Sequence, residues 1–209
     1  MDYQTVLALK LAELTLITHG NSQPSSDLLQ ILDAALAGGV KQIVIREKHM
    51  DSARLLAFAS RLRNLTNQYH AKLIIHSQAD IAKAVNADGV HLASSDIGEI
   101  PAMRNWLNTP KMSLSTSCHN LEELQKSHQY GADFAMLSPV FPTQSHLGAP
   151  ALGIDTFKQI AKGSPLPIIA LGGIDSGNRS QLTGFSIATI RAILDAQDPK
   201  QASQALLSA

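Results

Sequence analysis

The chain has 209 residues, 44% of them hydrophobic, and its 17 basic side chains balance its 17 acidic ones. A chain of this length buries enough apolar surface to fold without covalent staples. The even charge balance gives no broad basic face for nucleic acid. No stretch approaches about 18 uninterrupted apolar residues, so no membrane span is predicted. With one cysteine and no signal-peptide pattern, we expect a cytoplasmic protein without intrachain disulfides.

Eight short apolar runs, rich in β-branched residues, predict strands that alternate with helices along the chain. Runs that are apolar almost throughout are typical of parallel strands covered by helices on both faces. The predicted strands are residues 13–18, 41–46, 72–76, 89–92, 112–117, 133–138, 167–171 and 186–191. Segments with helical spacing of apolar residues are 26–37, 53–69, 120–130, 156–161 and 199–207.

This alternation predicts a fold of class α/β, a single (β/α)8 TIM barrel in one domain over residues 1–209. The rival fold is an open doubly wound sheet. That fold is disfavoured because no Gly-x-Gly-x-x-Gly motif follows any predicted strand. In a barrel of this kind, functional groups lie in the loops that follow the carboxyl ends of the strands.

Two basic residues follow the second predicted strand. Residues two apart on a strand face the same side, so Arg46 and Lys48 are both predicted to point into the barrel mouth and attract an anion. Glu47, between them, is predicted to face outward. A solvated charged loop is the alternative interpretation of this segment.

A pair of glycines follows the seventh predicted strand. Gly172 and Gly173 can let backbone N–H groups approach a phosphate closely, and the loops after strands seven and eight are the usual phosphate site of such barrels. Arg191, at the predicted end of strand eight, could add a guanidinium to the same phosphate. The alternatives are a simple tight turn for the glycines and a salt bridge for Arg191.

His119 ends the fifth predicted strand and is a candidate acid–base group, because imidazole titrates near neutral pH. Its neighbour Cys118 is predicted to point to the opposite side and to pack, so the two are not read as a nucleophile pair. His91 is predicted to lie inside the barrel in a structural role. The eight histidines are scattered without metal-like spacing, which argues against a zinc site.

These features together resemble the thiamin-phosphate synthase/TenI superfamily over nearly the whole chain. The stretches that carry the resemblance are LTLIT, AGGVKQIVIREK, LIIHSQADIAKAVNADGVHL, SCHNLEEL, GADFAMLSPVFPT and PIIALGGI. The tract LSPVFPTQSHLGAPALG, together with SCH, looks closest to the barrel domain found fused to Nudix hydrolases. The superfamily usually has a full helix where residues 174–185 stand here, so we expect that helix to be shorter by about one turn.

The synthases of this superfamily join a pyrimidine diphosphate to thiazole phosphate and use magnesium at the leaving pyrophosphate. Of their two metal-binding aspartates, this chain keeps Asp96, while Ser77 replaces the other. Mg²⁺ prefers carboxylate oxygens, so the resemblance implies a weak metal site at Asp96 and no certain cofactor. In the loop after strand six, Thr143 and Ser145 keep the hydroxyl pattern, and His146 replaces a lysine. We expect these residues and Ser77 to contact substrate.

TenI-type members bind thiazole phosphate and move a proton to aromatise its ring. His119 matches the histidine that serves there, so a tautomerase-like enzyme of thiamin biosynthesis is the favoured hypothesis. An active thiamin-phosphate synthase with an altered diphosphate site is the second. The third is a non-catalytic barrel that binds a phosphorylated ligand. The expected partner is a small phosphorylated molecule, and the oligomeric state is left open, with a homodimer as one option.

Overall fold

Eight parallel strands close into a barrel in chain order in the computed structural model, which describes residues 11–20, 26–143 and 150–209. Strand β1 pairs with both β2 and β8, and this pairing closes the sheet. The predicted α/β barrel is therefore confirmed, and every strand lies within two residues of its predicted bounds. The strands are β1 (Leu14–Ile17), β2 (Gln42–Ile45), β3 (Lys72–His76), β4 (Gly89–Leu92), β5 (Ser113–Cys118), β6 (Phe134–Leu137), β7 (Ile168–Leu171) and β8 (Ser186–Thr189).

Helices surround the sheet and connect most successive strands. Side-chain caps begin three of the predicted ones: Asp51 accepts a hydrogen bond from the Arg54 N–H, Asn120 accepts one from the Glu123 N–H, and Asp198 accepts one from the Gln201 N–H. None of the described helices has the length and apolar character needed to cross a bilayer. The α-helices in the described ranges are α1 (Ser26–Ala37), α2 (Ser52–Gln68), α3 (Ala79–Ala84), α4 (Ile100–Leu107), α5 (Leu121–Tyr130), α6 (Ile154–Gly163), α7 (Arg191–Leu194) and α8 (Pro199–Ser208).

The apolar core has two layers, because successive side chains of each strand point to opposite faces of the sheet. On β2, Val44 points into the barrel, whereas Ile43 and Ile45 pack against the helices. The inner cluster also contains Ile74 and Met136. Because both faces of these strands are buried, the strands appear as continuous apolar runs in the sequence. Side chains fill the barrel interior, so a ligand site is expected at an end of the barrel.

The connection between β7 and β8 contains no α-helix. A 3-10 turn at Arg179–Leu182 stands where we expected a helix shortened by one turn, so the reduction is larger than expected. The buried Arg179 guanidinium holds this turn in place by donating to the Leu182 carbonyl at 2.8 Å and to the Leu206 carbonyl at 3.3 Å. Contacts with α8 thus replace the packing that a full helix would supply.

Two similar ion pairs lie at the amino ends of strands β4 and β6. Asp88 precedes β4 and accepts hydrogen bonds from Arg63 of α2 and from the Leu73 N–H, at 2.6 and 2.7 Å. Asp133 precedes β6 and accepts from Arg104 of α4 and from the backbone of β5, each at 2.7 Å. Each pair ties a helix to two strands, so the charges at this end of the barrel serve the fold.

Candidate active site

Two adjoining cavities open at the carboxyl ends of the strands, where barrel active sites lie. The mouth cavity has a volume of about 330 Å³ and is lined by Arg46, Lys48, His76, His91, Ser117 and His119, among others. The glycine cavity has a volume of about 420 Å³ and is lined by Thr143, Gly172, Gly173, Ile174 and Thr189, among others. Ser138, Leu171, Ile190 and Arg191 line both. A ligand of modest size can therefore extend from one cavity into the other.

Arg46 and Lys48 both line the mouth cavity, as their spacing after β2 predicts. Glu47, between them, points away from this cavity, but it is buried rather than solvated, and its carboxylate accepts the Gly20 N–H at 3.2 Å. The prediction that Glu47 faces outward is therefore confirmed, and the alternative of a solvated loop does not hold for this residue. The backbone N–H of Arg46 donates to the Thr18 hydroxyl at 2.9 Å, which anchors the end of the strand.

No aspartate or glutamate lines the mouth cavity in the described residues. Within these residues, neither Arg46 nor Lys48 has a carboxylate within ion-pair distance. Two cations in a concave site with no counter-charge attract anionic ligands strongly, because the surrounding protein focuses their field. The mouth cavity is therefore suited to an anionic group.

Two histidines in the mouth cavity are held neutral. Burial lowers the pKa of His91 to about 3, with smaller contributions from His76 and Arg46. Burial also lowers the pKa of His76 to about 4, helped by the charges of Arg46 and Lys48. The His91 ring lies between Ser115 and Ser117, with each ring nitrogen 2.9 Å from a hydroxyl, which confirms its predicted place inside the barrel.

His119 lines the mouth cavity together with Ser117, so the alternation of β5 continues to its end. Its Nδ1 lies 3.0 Å from a carboxylate oxygen of Glu123, and the same oxygen accepts the His119 N–H at 2.8 Å. Glu123 thereby orients the ring. Cys118 is fully buried on the opposite side beside the Thr116 and Ser127 hydroxyls, and burial raises the pKa of its thiol. The prediction that Cys118 packs and does not pair with His119 is confirmed.

The glycine pair after β7 adopts backbone angles that favour glycine, with φ values of 103° at Gly172 and 65° at Gly173. A Cβ on Gly172 would lie 2.7 Å from the Pro139 Cα, and one on Gly173 would lie 2.5 Å from the Pro142 carbonyl oxygen. Among the described residues, no protein acceptor takes the N–H of either glycine. The predicted phosphate site at these N–H groups is thus compatible with the structure. A side chain at either glycine would displace the loop after β6.

The sequence predicts Arg191 at the end of strand eight, and this prediction is wrong. Strand β8 ends at Thr189, and Arg191 is the first residue of the short helix α7. The error has a simple cause, since the apolar run continues through Ile190 although the chain has already left the sheet. Arg191 still lines both cavities, where it is placed between the mouth and the glycine pair.

The fold and the sequence agree on a family for this chain. A sequence model of the family described as thiamine monophosphate synthase matches residues 14–194. The chain belongs to this thiamine monophosphate synthase family. The thiamine-phosphate synthase of Clostridium tetani is 33% identical over 198 residues, which cover 92% of this chain and 93% of that protein. The thiamine-phosphate synthase of a Nostoc species is 34% identical over 211 residues, which cover 100% of this chain but only 58% of that protein.

A solved structure supports the same assignment. The thiamine phosphate pyrophosphorylase of Pyrococcus furiosus superposes with a TM-score of 0.82 at 29% identity, covering 94% of each chain. A 3-hexulose-6-phosphate synthase superposes with a TM-score of 0.70, but at 15% identity it shows only the shared barrel fold. Sequence and structure thus place the chain in the thiamine monophosphate synthase family and not only in the barrel fold.

Two residues expected from the family resemblance lie outside the mouth cavity. Ser77 and Asp96 line a neighbouring surface pocket beside Trp106, and the Asp96 carboxylate accepts the Ser95 hydroxyl at 2.7 Å. Thr143 lines the glycine cavity as expected. The predicted contacts at Ser145 and His146 lie outside the described residues.

The residues present do not fit a divalent metal in the mouth cavity. The described part of the chain contains no group of three or more histidine, cysteine, aspartate or glutamate side chains that could hold a metal ion. Magnesium is usually held by one or two carboxylates together with waters and substrate phosphates, whereas the described lining of the mouth cavity offers cationic, imidazole and hydroxyl groups but no carboxylate. We therefore derive no catalytic step through magnesium, and the weak site at Asp96 stays a prediction.

Three side chains of the site were not predicted from the sequence. His76 is the last residue of β3, and the sequence predictions assign it no role. Glu123 was assigned to a helix although its position, four residues after His119, allows an orienting hydrogen bond. His19 follows β1, and its Nε2 lies 2.9 Å from an Asp195 carboxylate oxygen across the seam between β1 and β8. No local motif signals this last contact, because it depends on closure of the barrel.

Proposed function

We propose that this chain binds a thiazole phosphate across the two cavities and catalyses a tautomerase-like proton transfer that aromatises the ring. The observation that carries the proposal is the position of His119. Its imidazole lines a cationic cavity that has no carboxylate among its described residues, directly beside the glycine cavity. This arrangement suits proton transfer on an anionic ligand better than metal-assisted displacement of pyrophosphate.

His119 is assigned as the acid–base group. A tautomerisation removes a proton from one atom of the ligand and returns a proton to another, so it needs no leaving group and no metal. An imidazole can accept and then donate that proton near neutral pH. Glu123 holds Nδ1 at 3.0 Å and stabilises the imidazolium that forms midway, so the proton is exchanged through Nε2.

The phosphate of the ligand is assigned to the glycine cavity. The Gly172 and Gly173 N–H groups supply backbone donors, and Thr143 and Arg191 line the same cavity. Paired glycines at this loop permit a close approach of the phosphate to the backbone. Arg46 and Lys48 then attract further negative charge of the ligand into the mouth.

The second candidate is thiamine-phosphate synthase activity. It is favoured by the relatives of that name, one of which is 33% identical over 92% of this chain. That reaction requires stabilisation of a departing pyrophosphate, for which Arg46 and Lys48 supply positive charge without a metal. A third candidate is a barrel that binds a phosphorylated ligand without turnover.

Side-by-side assays of the purified protein separate these candidates. One assay follows aromatisation of the thiazole phosphate tautomer, and the other follows coupling of thiazole phosphate with the pyrimidine diphosphate in the presence of magnesium. We expect turnover in the first assay and little in the second. Coupling at rates comparable to a thiamine-phosphate synthase would favour the second candidate, and binding without turnover in either assay would favour the third.

The cytoplasm is the proposed location, where the phosphorylated intermediates of thiamine biosynthesis would be accessible. A homodimer is the oligomeric state to test first. Fractionation of cells and analytical ultracentrifugation of the purified chain check these two points independently of the reaction.

A further inference from the structure

The His76 ring is held from behind by the side chain of the residue that follows it. Its Nδ1 lies 2.9 Å from the Ser77 hydroxyl, and the ring lines the mouth cavity with Arg46 and Lys48. With Nδ1 engaged, Nε2 is the ring atom that can reach a ligand in the cavity. The ring also packs near His91, with 6.0 Å between the centroids.

The backbone of Ser77 explains how this contact is maintained. Ser77 has a φ of 61°, a left-handed conformation that side-chain-bearing residues other than asparagine, aspartate and histidine seldom adopt. The flanking hydrogen bonds impose it: the Ser77 N–H donates to the His91 carbonyl at 2.9 Å, and the Gln78 N–H donates to the His76 carbonyl at 2.8 Å. Strain of this kind persists where the surroundings over-determine it, often at functional sites.

We propose that His76 is a ligand-contacting residue, positioned by Ser77, which completes with Arg46 and Lys48 a binding site for an oxyanion that needs no divalent metal. The ligand class is a small molecule that carries a phosphate, pyrophosphate or carboxylate group. This inference extends the proposed function, since it assigns the second anionic group of the ligand, but it concerns binding and not the proton transfer.

The chemistry of the three side chains supports this role. Arg46 and Lys48 supply positive charge, and a neutral imidazole supplies an N–H donor without adding a third charge to the cavity. The Ser77 hydroxyl can either donate or accept, so it supports whichever tautomer the ligand selects. An oxyanion selects the tautomer with a proton on Nε2, for which Ser77 donates to Nδ1. The low pKa of His76 keeps this donor neutral at physiological pH.

Ser77 is assigned as a residue that positions the His76 ring and does not itself contact the ligand. Its side chain lies behind the His76 ring and lines two neighbouring pockets outside the mouth cavity. A direct contact with a ligand in the mouth would require the hydroxyl to leave His76. Thus Ser77, expected from the family pattern to contact substrate, acts on the ligand through the imidazole.

Calorimetric titration with inorganic pyrophosphate, and in parallel with malonate, tests the site in the full chain. Both titrations are run with magnesium and with a chelator. We expect binding that chelation leaves unchanged, and the stronger of the two ligands identifies phosphate-type or carboxylate-type recognition. Binding that appears only with magnesium, or no binding of either anion, would overturn the proposal.

Variants assign the binding to these residues. His76→Phe, which keeps a ring but has no N–H donor, should weaken binding about 10-fold to 100-fold, as expected for the loss of a hydrogen bond to a charged group. Ser77→Gly, which tolerates the left-handed backbone and removes the side chain with its hydroxyl, should weaken it about fivefold. The control is His128→Phe, the same change at an exposed histidine on α5.

Thermal melts confirm that each variant is folded, so that a loss of binding is assigned to the site. Unchanged affinity in the folded His76→Phe variant would contradict the proposal. Equal losses in His128→Phe and His76→Phe would also contradict it. The outcome is independent of the proposed function, because anion binding at His76 can be present in a protein that does not turn over the tautomer.

Discussion

The two ends of the barrel use charged residues in opposite ways. At the amino ends of the strands, Arg63 and Arg104 each meet an aspartate and backbone carbonyls, and those aspartates also accept strand N–H groups. At the carboxyl ends, Arg46 and Lys48 line a cavity without any carboxylate among its described residues. At the amino ends the guanidinium groups are paired within the protein. At the carboxyl ends Arg46 and Lys48 line a cavity that can hold a ligand.

This difference tells us how to interpret charge in such a barrel. Charges that are paired at the amino ends are expected to contribute to stability, whereas charges grouped without a counter-ion at the carboxyl ends reduce stability slightly through repulsion and contribute to binding. Substitutions at the two ends should therefore have separable effects on unfolding and on ligand affinity.

The largest expected effect is on catalysis at the carboxyl end. His119→Asn should lower the tautomerisation rate by about 10²–10⁴-fold, the usual contribution of general acid–base catalysis. Binding of the phosphorylated ligand should change little, because the phosphate is held in the glycine cavity. Rates and affinities are compared with those of His128→Asn on the exposed side of α5. Equal losses of rate and affinity would show that His119 positions the ligand instead.

A substitution at the amino end should affect stability and leave the reaction intact. Asp88→Ala removes the partner of the largely buried Arg63 guanidinium and the acceptor of the Leu73 N–H. We expect a loss of about 2 kcal/mol in the free energy of unfolding. Urea unfolding measures it, with the exposed Glu122→Gln as control. An Asp88→Ala variant that is as stable as the unaltered chain but has impaired turnover would contradict the stabilising role assigned to the amino end.

Acidification should destabilise the protein through His91. Its pKa is about 3 in the folded chain, below the ordinary value of 6.5. Between these two pH values the unfolded chain therefore binds a proton that the folded chain does not. Stability attributable to this residue is complete above pH 6.5 and should fall by about 2–3 kcal/mol between pH 6.5 and 4.5. Urea unfolding at several pH values checks this. If His91→Gln shows the same pH slope as the unaltered chain, His91 is not its source.

Arg46→Met should weaken binding of inorganic pyrophosphate by about tenfold, the contribution of one charge-assisted contact. It should leave the free energy of unfolding unchanged within about 0.5 kcal/mol, because the side chain has no carboxylate partner in the described residues. Calorimetry and urea unfolding are done on the same preparation. A stability loss as large as that of Asp88→Ala would remove the contrast between the two ends.

The smallest expected effect concerns metal. Chelation should change the tautomerisation rate by less than about twofold, because the mouth cavity offers no carboxylate to a divalent ion in its described part. Rates are measured after exhaustive chelation and again after magnesium is restored. A rate that collapses on chelation and recovers with magnesium would contradict the metal-free account.

Much of this fold follows from local sequence patterns. Apolar runs located all eight strands, and the two-residue period placed Arg46 and Lys48 on one side of β2 and His119 opposite Cys118 on β5. Such predictions succeed because the direction of a side chain on a strand depends only on its register.

Other parts of the site depend on contacts that no local pattern records. The apolar run continues through Ile190, beyond the end of β8 at Thr189. The pattern therefore predicts Arg191 on a strand, whereas it begins a helix. The left-handed backbone of Ser77 turns its hydroxyl onto His76, where a family pattern alone predicts a substrate contact. The contact between His19 and Asp195 requires the first and last strands to meet.

The central claim is metal-free proton transfer on a thiazole phosphate, and one measurement tests it most directly. The purified chain is mixed with the thiazole phosphate tautomer in the presence of a chelator, and formation of the aromatic ring is followed by its ultraviolet absorbance. We predict turnover well above the spontaneous rate, with a loss of about 10²-fold or more in His119→Asn. Aromatisation no faster than in the absence of protein, or equally fast with His119→Asn, would contradict the claim.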